Sequence, residues 1–179
     1  MINNKKTDFK ADETLKIDKD TFTPGTPEDD LRVDLQCKHL LQHFYNFQVG
    51  RGVSPHEATA LANGADYFIR DFVVDFMGIN PFDERPGIVR QFAGNWYIVG
   101  TIEPDIDQLA GHLRGISAFY RYLRDHGLIS AGYLHNIEQE CNDISYYERR
   151  IESFWKITGD GYLAWERECS LKTARRTKE

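Results

Sequence analysis

The chain has 179 residues, 41% hydrophobic and 13% aromatic, enough for one domain with a sizeable core. Its formal charge of −6, from 28 acidic against 22 basic side chains, argues against broad binding to nucleic acid or an anionic membrane. Three scattered cysteines, Cys37, Cys141 and Cys169, make neither a disulfide framework nor a zinc ribbon and fit reduced thiols in a cytoplasmic protein.

Residues 1–25 carry scattered charge and almost no apolar period, so a disordered tail is expected there, pinned at most at Thr21 to Thr23. The N-terminus does not read as a signal peptide, and no apolar run approaches the roughly 20 residues of a membrane span. The first helix is expected from Thr26 to about Gln48. Thr26 can cap it, Pro27 suits its first turn, and Glu28, Asp29 and Asp30 face the positive end of the dipole. Val33, Cys37, Leu40, Leu41, Phe44 and Phe47 share its apolar face, and Gly50 and Gly52 end it.

Ser54-Pro55-His56-Glu57 reads as a capping box opening a second helix, with Ala58, Leu61, Ala65, Phe68, Ile69, Phe72, Val73 and Phe76 inward and Gly78 as the stop. Asn80 to Gly87 is a loop. From Ile88 to Val99 the apolar spacing is helical, but Gly94-Asn95 interrupts it, and Tyr97 to Val99 fits an extended piece equally well.

Pro104 to Gly127 predicts the central helix. Leu109, His112, Leu113, Ile116, Phe119, Tyr120 and Leu123 form its inner arc, Arg114, Arg121 and Asp125 face water, and Gly127 is the left-handed stop. Ser130 can cap a short helix to about Cys141, and Ser145 to Glu148 reads as another capping box. A last short helix follows the Gly159-Asp160-Gly161 turn, and 172–179 is a basic, frayed tail. No clean strand alternation appears. The expected fold is an all-α bundle of six to seven mainly antiparallel helices, one domain over 26–171.

No motif fixes a reaction, and no cofactor is implied. His39 and His43 lie four apart on the first helix, and Asp71 and Asp75 four apart on the second, each pair at the margin of an apolar arc. Facing each other, they would make a nitrogen and oxygen metal site inside a bundle, although the Glu-x-x-His signature is missing. His112 sits in the inner arc of the central helix as a core histidine without a committed partner. Arg114, Arg121 and Arg124, with Arg149, Arg150 and neighbouring tyrosines, sketch a nucleic-acid face; the plainer reading is a solvated surface with pairs such as Arg121 to Asp125.

Phe92 to Ser130, with Trp96-Tyr97-Ile98-Val99, a Pro104-Asp105 break and the run from Leu109 to Ser130, resembles in its apolar spacing the N-terminal core-binding module of tyrosine recombinases. The catalytic domain of that family has no counterpart here and the acidic charge departs from it, so no functional residue is carried over.

The function expected is a non-enzymatic helical domain that binds a protein partner or itself. Leu31 and Leu35, opposite the main face of the first helix, and Tyr67 and Val74, off the main arc of the second, suggest a homodimer surface. A metal-dependent enzyme using His39, His43, Asp71 and Asp75 is the alternative. A nucleic-acid module is the second. No membrane role is expected.

Overall fold

Thr26 opens the first helix with a full capping box: its hydroxyl accepts from the Asp29 N–H, and the Asp29 carboxylate accepts from the Thr26 N–H. Helix α1 then spans Pro27–Gly50 in a computed structural model that describes residues 17–172. Ser54 caps α2 by accepting from the Glu57 N–H, and Glu57 does not return the bond. Helix α2 is α-wound over Pro55–Asp66 and π-wound over Tyr67–Phe76. The Met77 N–H reaching back five residues to the Phe72 carbonyl at 2.8 Å shows the wider winding.

Ile88 to Gly100 is one helix, α3, with no extended piece. It is α-wound over Ile88–Gln91, π-wound over Phe92–Trp96 and α-wound again over Tyr97–Gly100. Gly94 and Asn95 widen a turn rather than interrupt the helix. Its first turn has no side-chain cap of its own. Glu140 supplies one from elsewhere, accepting from the Gly87 N–H at 2.6 Å and the Arg90 N–H at 3.0 Å.

Helix α4 spans Ile106–Asp125, capped by Asp105, which accepts from the Gln108 N–H. It ends in a Schellman motif: the Leu128 N–H bonds the Leu123 carbonyl and the Gly127 N–H the Arg124 carbonyl, with Gly127 at φ +70°. Helices α5 (Ala131–Asn142), α6 (Ile144–Trp155) and α7 (Tyr162–Arg167) complete the bundle. Ser130 caps α5, as its spacing predicts. The box expected at Ser145 is not formed, because α6 starts one residue earlier, at Ile144.

The bundle is all-α, and the described residues contain no strand. Its central pair is α2 and α4, which cross where both carry glycine. A Cβ at Gly115 would lie 2.5 Å from the Leu61 carbonyl oxygen, and one at Gly64 would lie 3.0 Å from the His112 Cα. Helix α1 lies against α2 and sets Phe44 edge-on to Phe119 of α4 at 5.4 Å. Helix α5 packs on α4, and α6 packs on α4 and on the π-wound turn of α3.

Of the expected 1–25 tail, residues 17–25 are described, and they pack on the body. Lys19–Phe22 form a 3-10 turn, and Phe22 is buried edge-on to Phe82 at 4.9 Å. The Lys19 ammonium donates to the Leu128 carbonyl, and the Asn80 amide donates to the Lys19 carbonyl at 2.7 Å. One anchored aromatic and two long-range bonds hold a segment that has no periodicity to reveal it. Residues 1–16 of that tail, and 173–179 of the basic one, lie outside the described residues.

Candidate functional site

The two π-wound segments lie side by side, and their aromatic side chains form one continuous cluster. Phe92 lies 5.8 Å from Tyr67 and 5.5 Å from Phe72, and Trp96 lies 5.3 Å from Tyr67, 5.4 Å from Phe72 and 5.9 Å from Phe76. Phe72 and Phe92 are fully buried, whereas Tyr67 and Trp96 are half-buried and Phe76 is 42% exposed. The cluster therefore runs from the core to the surface. Val99, 45% exposed, follows one turn beyond Trp96 on α3, and Ile102, 93% exposed, comes just past the end of that helix.

π winding explains why Phe76 is outside. At the α-helical angle Phe76 falls on the inner arc and Val74 opposite it. A wider turn advances fewer degrees per residue, so over the segment Val74 rotates inward and Phe76 outward. Val74 is buried, which corrects its place in the expected dimer surface, and Tyr67 is engaged in the cluster. Leu31 and Leu35 stay exposed on α1.

Carboxylates edge this ridge. Asp71 and Asp75 stand exposed on α2, and Glu103 follows Ile102. None of the three has an ion-pair partner among the described residues. Burial, then the neighbouring Asp66 and Asp75, hold the Asp71 carboxyl above the usual range.

At the inner end, the His112 ring lies tilted against Tyr67 at 4.9 Å and edge-on to Tyr97 at 5.8 Å. Half-burial pushes its pKa down, so the imidazole is neutral near pH 7. It lines a 160 Å³ cavity with Glu57, Asn63, Gln108 and Arg114, and makes no hydrogen bond among the described residues. Among the described residues no hydroxyl or thiol is paired with it. A larger groove of 440 Å³ between α1 and α2 is lined by Lys38, Tyr45, Thr59 and Asp66. Its charges are closed by the Lys38–Asp34 and Arg70–Asp66 pairs.

His39 and His43 are exposed on α1. No group of three or more His, Cys, Asp or Glu side chains placed to hold a metal ion occurs among the described residues, so these two are not joined with Asp71 and Asp75 in one ligand set. Of the candidate basic face, Arg114 lines the small cavity and Arg124 is exposed. Arg121 pairs with Glu138 of α5, not with Asp125, which pairs with Arg51 at 3.7 Å. The cross-helix carboxylate is the better-placed partner.

Arg150, expected on the surface, is 2% exposed. Its guanidinium donates to the Gly94 carbonyl at 3.0 Å, the Trp165 carbonyl at 2.9 Å and Glu168 at 3.0 Å, and stacks 3.8 Å over the Trp165 ring. Asn95 adds a bond to the Cys169 carbonyl at 2.7 Å. The C-terminal segment is thus fastened to the π-wound turn of α3 through Gly94 and Asn95, while Trp96 stays half-buried in the cluster and Val99 is exposed. All three cysteines are free and buried, and burial pushes each thiol up, Cys37 to about 12, so none is a ready thiolate.

Compared with known proteins, the chain matches no family model, no curated protein and no solved structure. The likeness to the recombinase module remains one of apolar spacing. No helix among the described residues is long and apolar enough to cross a membrane.

Proposed function

We propose that this domain acts without catalysis, as a cytoplasmic module that binds another protein through the ridge formed by Phe76, Trp96, Val99 and Ile102. The observation that carries this reading is an aromatic cluster that reaches the surface at Phe76 and Trp96, with Val99 one turn further along α3 and Ile102, almost wholly exposed, just past its end. Surfaces that stay solvated rarely keep large apolar side chains side by side, whereas binding surfaces concentrate aromatic residues at their centre. The metal-dependent and nucleic-acid readings have less behind them: the four metal candidates are not gathered, and Arg121 and Arg150 are held by neighbours within the fold.

A photo-reactive benzoylphenylalanine placed at position 102, and separately at the exposed His135 of α5, tests the reading in cells. Position 102 is expected to give a discrete cross-linked product that position 135 does not, and Val99→Glu is expected to abolish it. Identical products from both positions would sink the proposal. A second reading, a homodimer, draws on Leu31 and Leu35, exposed one turn apart on α1. Light scattering at tens of micromolar is expected to give twice the chain mass if it holds, and Leu35→Glu should then return a monomer.

A further inference from the structure

We propose that the partner on this ridge is a basic amphipathic segment of another protein. Its apolar side chains would sit on Phe76, Trp96, Val99 and Ile102, and its Lys or Arg side chains would face Asp71, Asp75 and Glu103. The inference rests on the ridge being the docking surface and adds what must fill it.

The placement of charge carries the argument. In a π-wound segment residues five apart share a side, which puts Asp71 beside Phe76, with Asp75 adjoining it. Asp71 also acts electrostatically on Tyr67 at the inner end of the ridge. Glu103 adjoins Ile102 at the other end. Arg70, the cation that acts on Asp71, is engaged by Asp34 at 2.7 Å and Asp66 at 2.9 Å. The apolar strip therefore lies within an acidic field that the described residues do not neutralise. Complementary potential is what steers and selects a partner across such a rim.

Of the other exposed apolar groups, Leu35 rises beside the closed Lys38–Asp34 pair and Trp155 beside Lys156–Glu152, surroundings that favour neither sign. A second copy is also a poor occupant of the ridge: a two-fold contact through it would set Asp71, Asp75 and Glu103 against their own copies.

Selection from a random peptide-display library against the full chain tests the inference, with Val99→Glu/Ile102→Glu and Asp71→Asn/Asp75→Asn/Glu103→Gln as paired variants. The substituted side chains are exposed, and melting curves are taken first to check that both variants fold. Wild type is expected to enrich peptides combining an apolar face with two or more Lys or Arg. These peptides should bind about thirtyfold or more weakly to the apolar-to-Glu variant. They should bind roughly tenfold more weakly to the neutralised one, with a matching loss at high salt. Neutral or acidic peptides that still depend on Val99 and Ile102 would overturn the basic partner and leave the docking surface standing. Peptides indifferent to both variants, or no enrichment, would overturn both. A ridge-dependent dimer by light scattering would replace the partner with a second copy.

Discussion

Gly115→Ala puts a methyl where the two central helices touch. A Cβ there would lie 2.5 Å from the Leu61 carbonyl oxygen and 2.9 Å from both the Ala65 nitrogen and the Gly64 Cα. Even a close C–H···O contact needs roughly 3.3–3.6 Å, so the backbones must separate by about 1 Å. Every one of these neighbours is main chain, and no rotamer change can relieve the clash. Overpacking of this kind costs about 1–3 kcal/mol, and more where nothing can move. The gain in helix propensity on replacing Gly by Ala, about 1 kcal/mol, offsets part of it. A net loss of about 2 kcal/mol corresponds to a fall of roughly 4–8 °C in Tm for a domain this size. The control is Gly111→Ala, four residues earlier on the same helix, where a Cβ would come no nearer than 4.0 Å to the flexible end of Arg114. It keeps the propensity gain without the clash and is expected to leave Tm unchanged or raise it by a few degrees. Thermal melts of the two variants by circular dichroism settle the matter. Equal losses, or a neutral Gly115→Ala, would show that the helices do not cross as described.

Ile116→Ala, at a fully buried position, should cost about 2–5 kcal/mol by chemical denaturation, while Arg121→Ala, on the water side of α4, should cost under about 1 kcal/mol. Arg150→Met leaves the Gly94 and Trp165 carbonyls without their donor and should cost about 2–4 kcal/mol, with faster amide exchange confined to α7 and the π-wound turn of α3. Asp71→Asn should raise Tm at pH 7. The folded-state pKa of Asp71 is raised, so the folded chain holds more protons between the unfolded and folded values, and stability falls as pH rises through that window. The advantage of Asn should therefore vanish below about pH 3.9, and an equal gain at both pH values would contradict the assignment.

The face of α4 was legible because a single α-helical period runs through it. Leu109, Leu113, Ile116, Phe119, Tyr120 and Leu123 are buried, and Arg114, Arg121 and Asp125 are not. The same arithmetic fails on α2 beyond Asp66, since nothing in the order of side chains announces i-to-i+5 bonding, and each widened turn shifts the faces that follow. Phe76 and Val74 exchange sides for that reason. Around Gly94, glycine signals a break in a local reading. What it serves is a long-range contact: a Cβ there would meet Cys169 Sγ at 3.1 Å and Tyr146 at 3.2 Å. Arg150 was illegible for a related reason, because its acceptors lie 15 to 56 residues away in the chain. Of the candidate site, Asp71 and Asp75 stood out as a spaced pair, but spacing alone suggested metal ligands. Val99 comes from another helix and Ile102 from the loop that follows it, and only the packing of the two π-wound segments puts α3 beside that stretch of α2.

The docking claim has a built-in reporter, because one of the three tryptophans stands on the ridge and the other two at the α6–α7 corner. Titrating the ¹⁵N-labelled chain with the enriched basic peptide and following the three indole N–H resonances tests it most directly. Trp96 is expected to shift while Trp155 and Trp165 stay in place, and Ile102→Glu should abolish the shift. Movement of Trp155 with Trp96 unmoved would contradict the account, despite Trp155 being 58% exposed and the more accessible of the two.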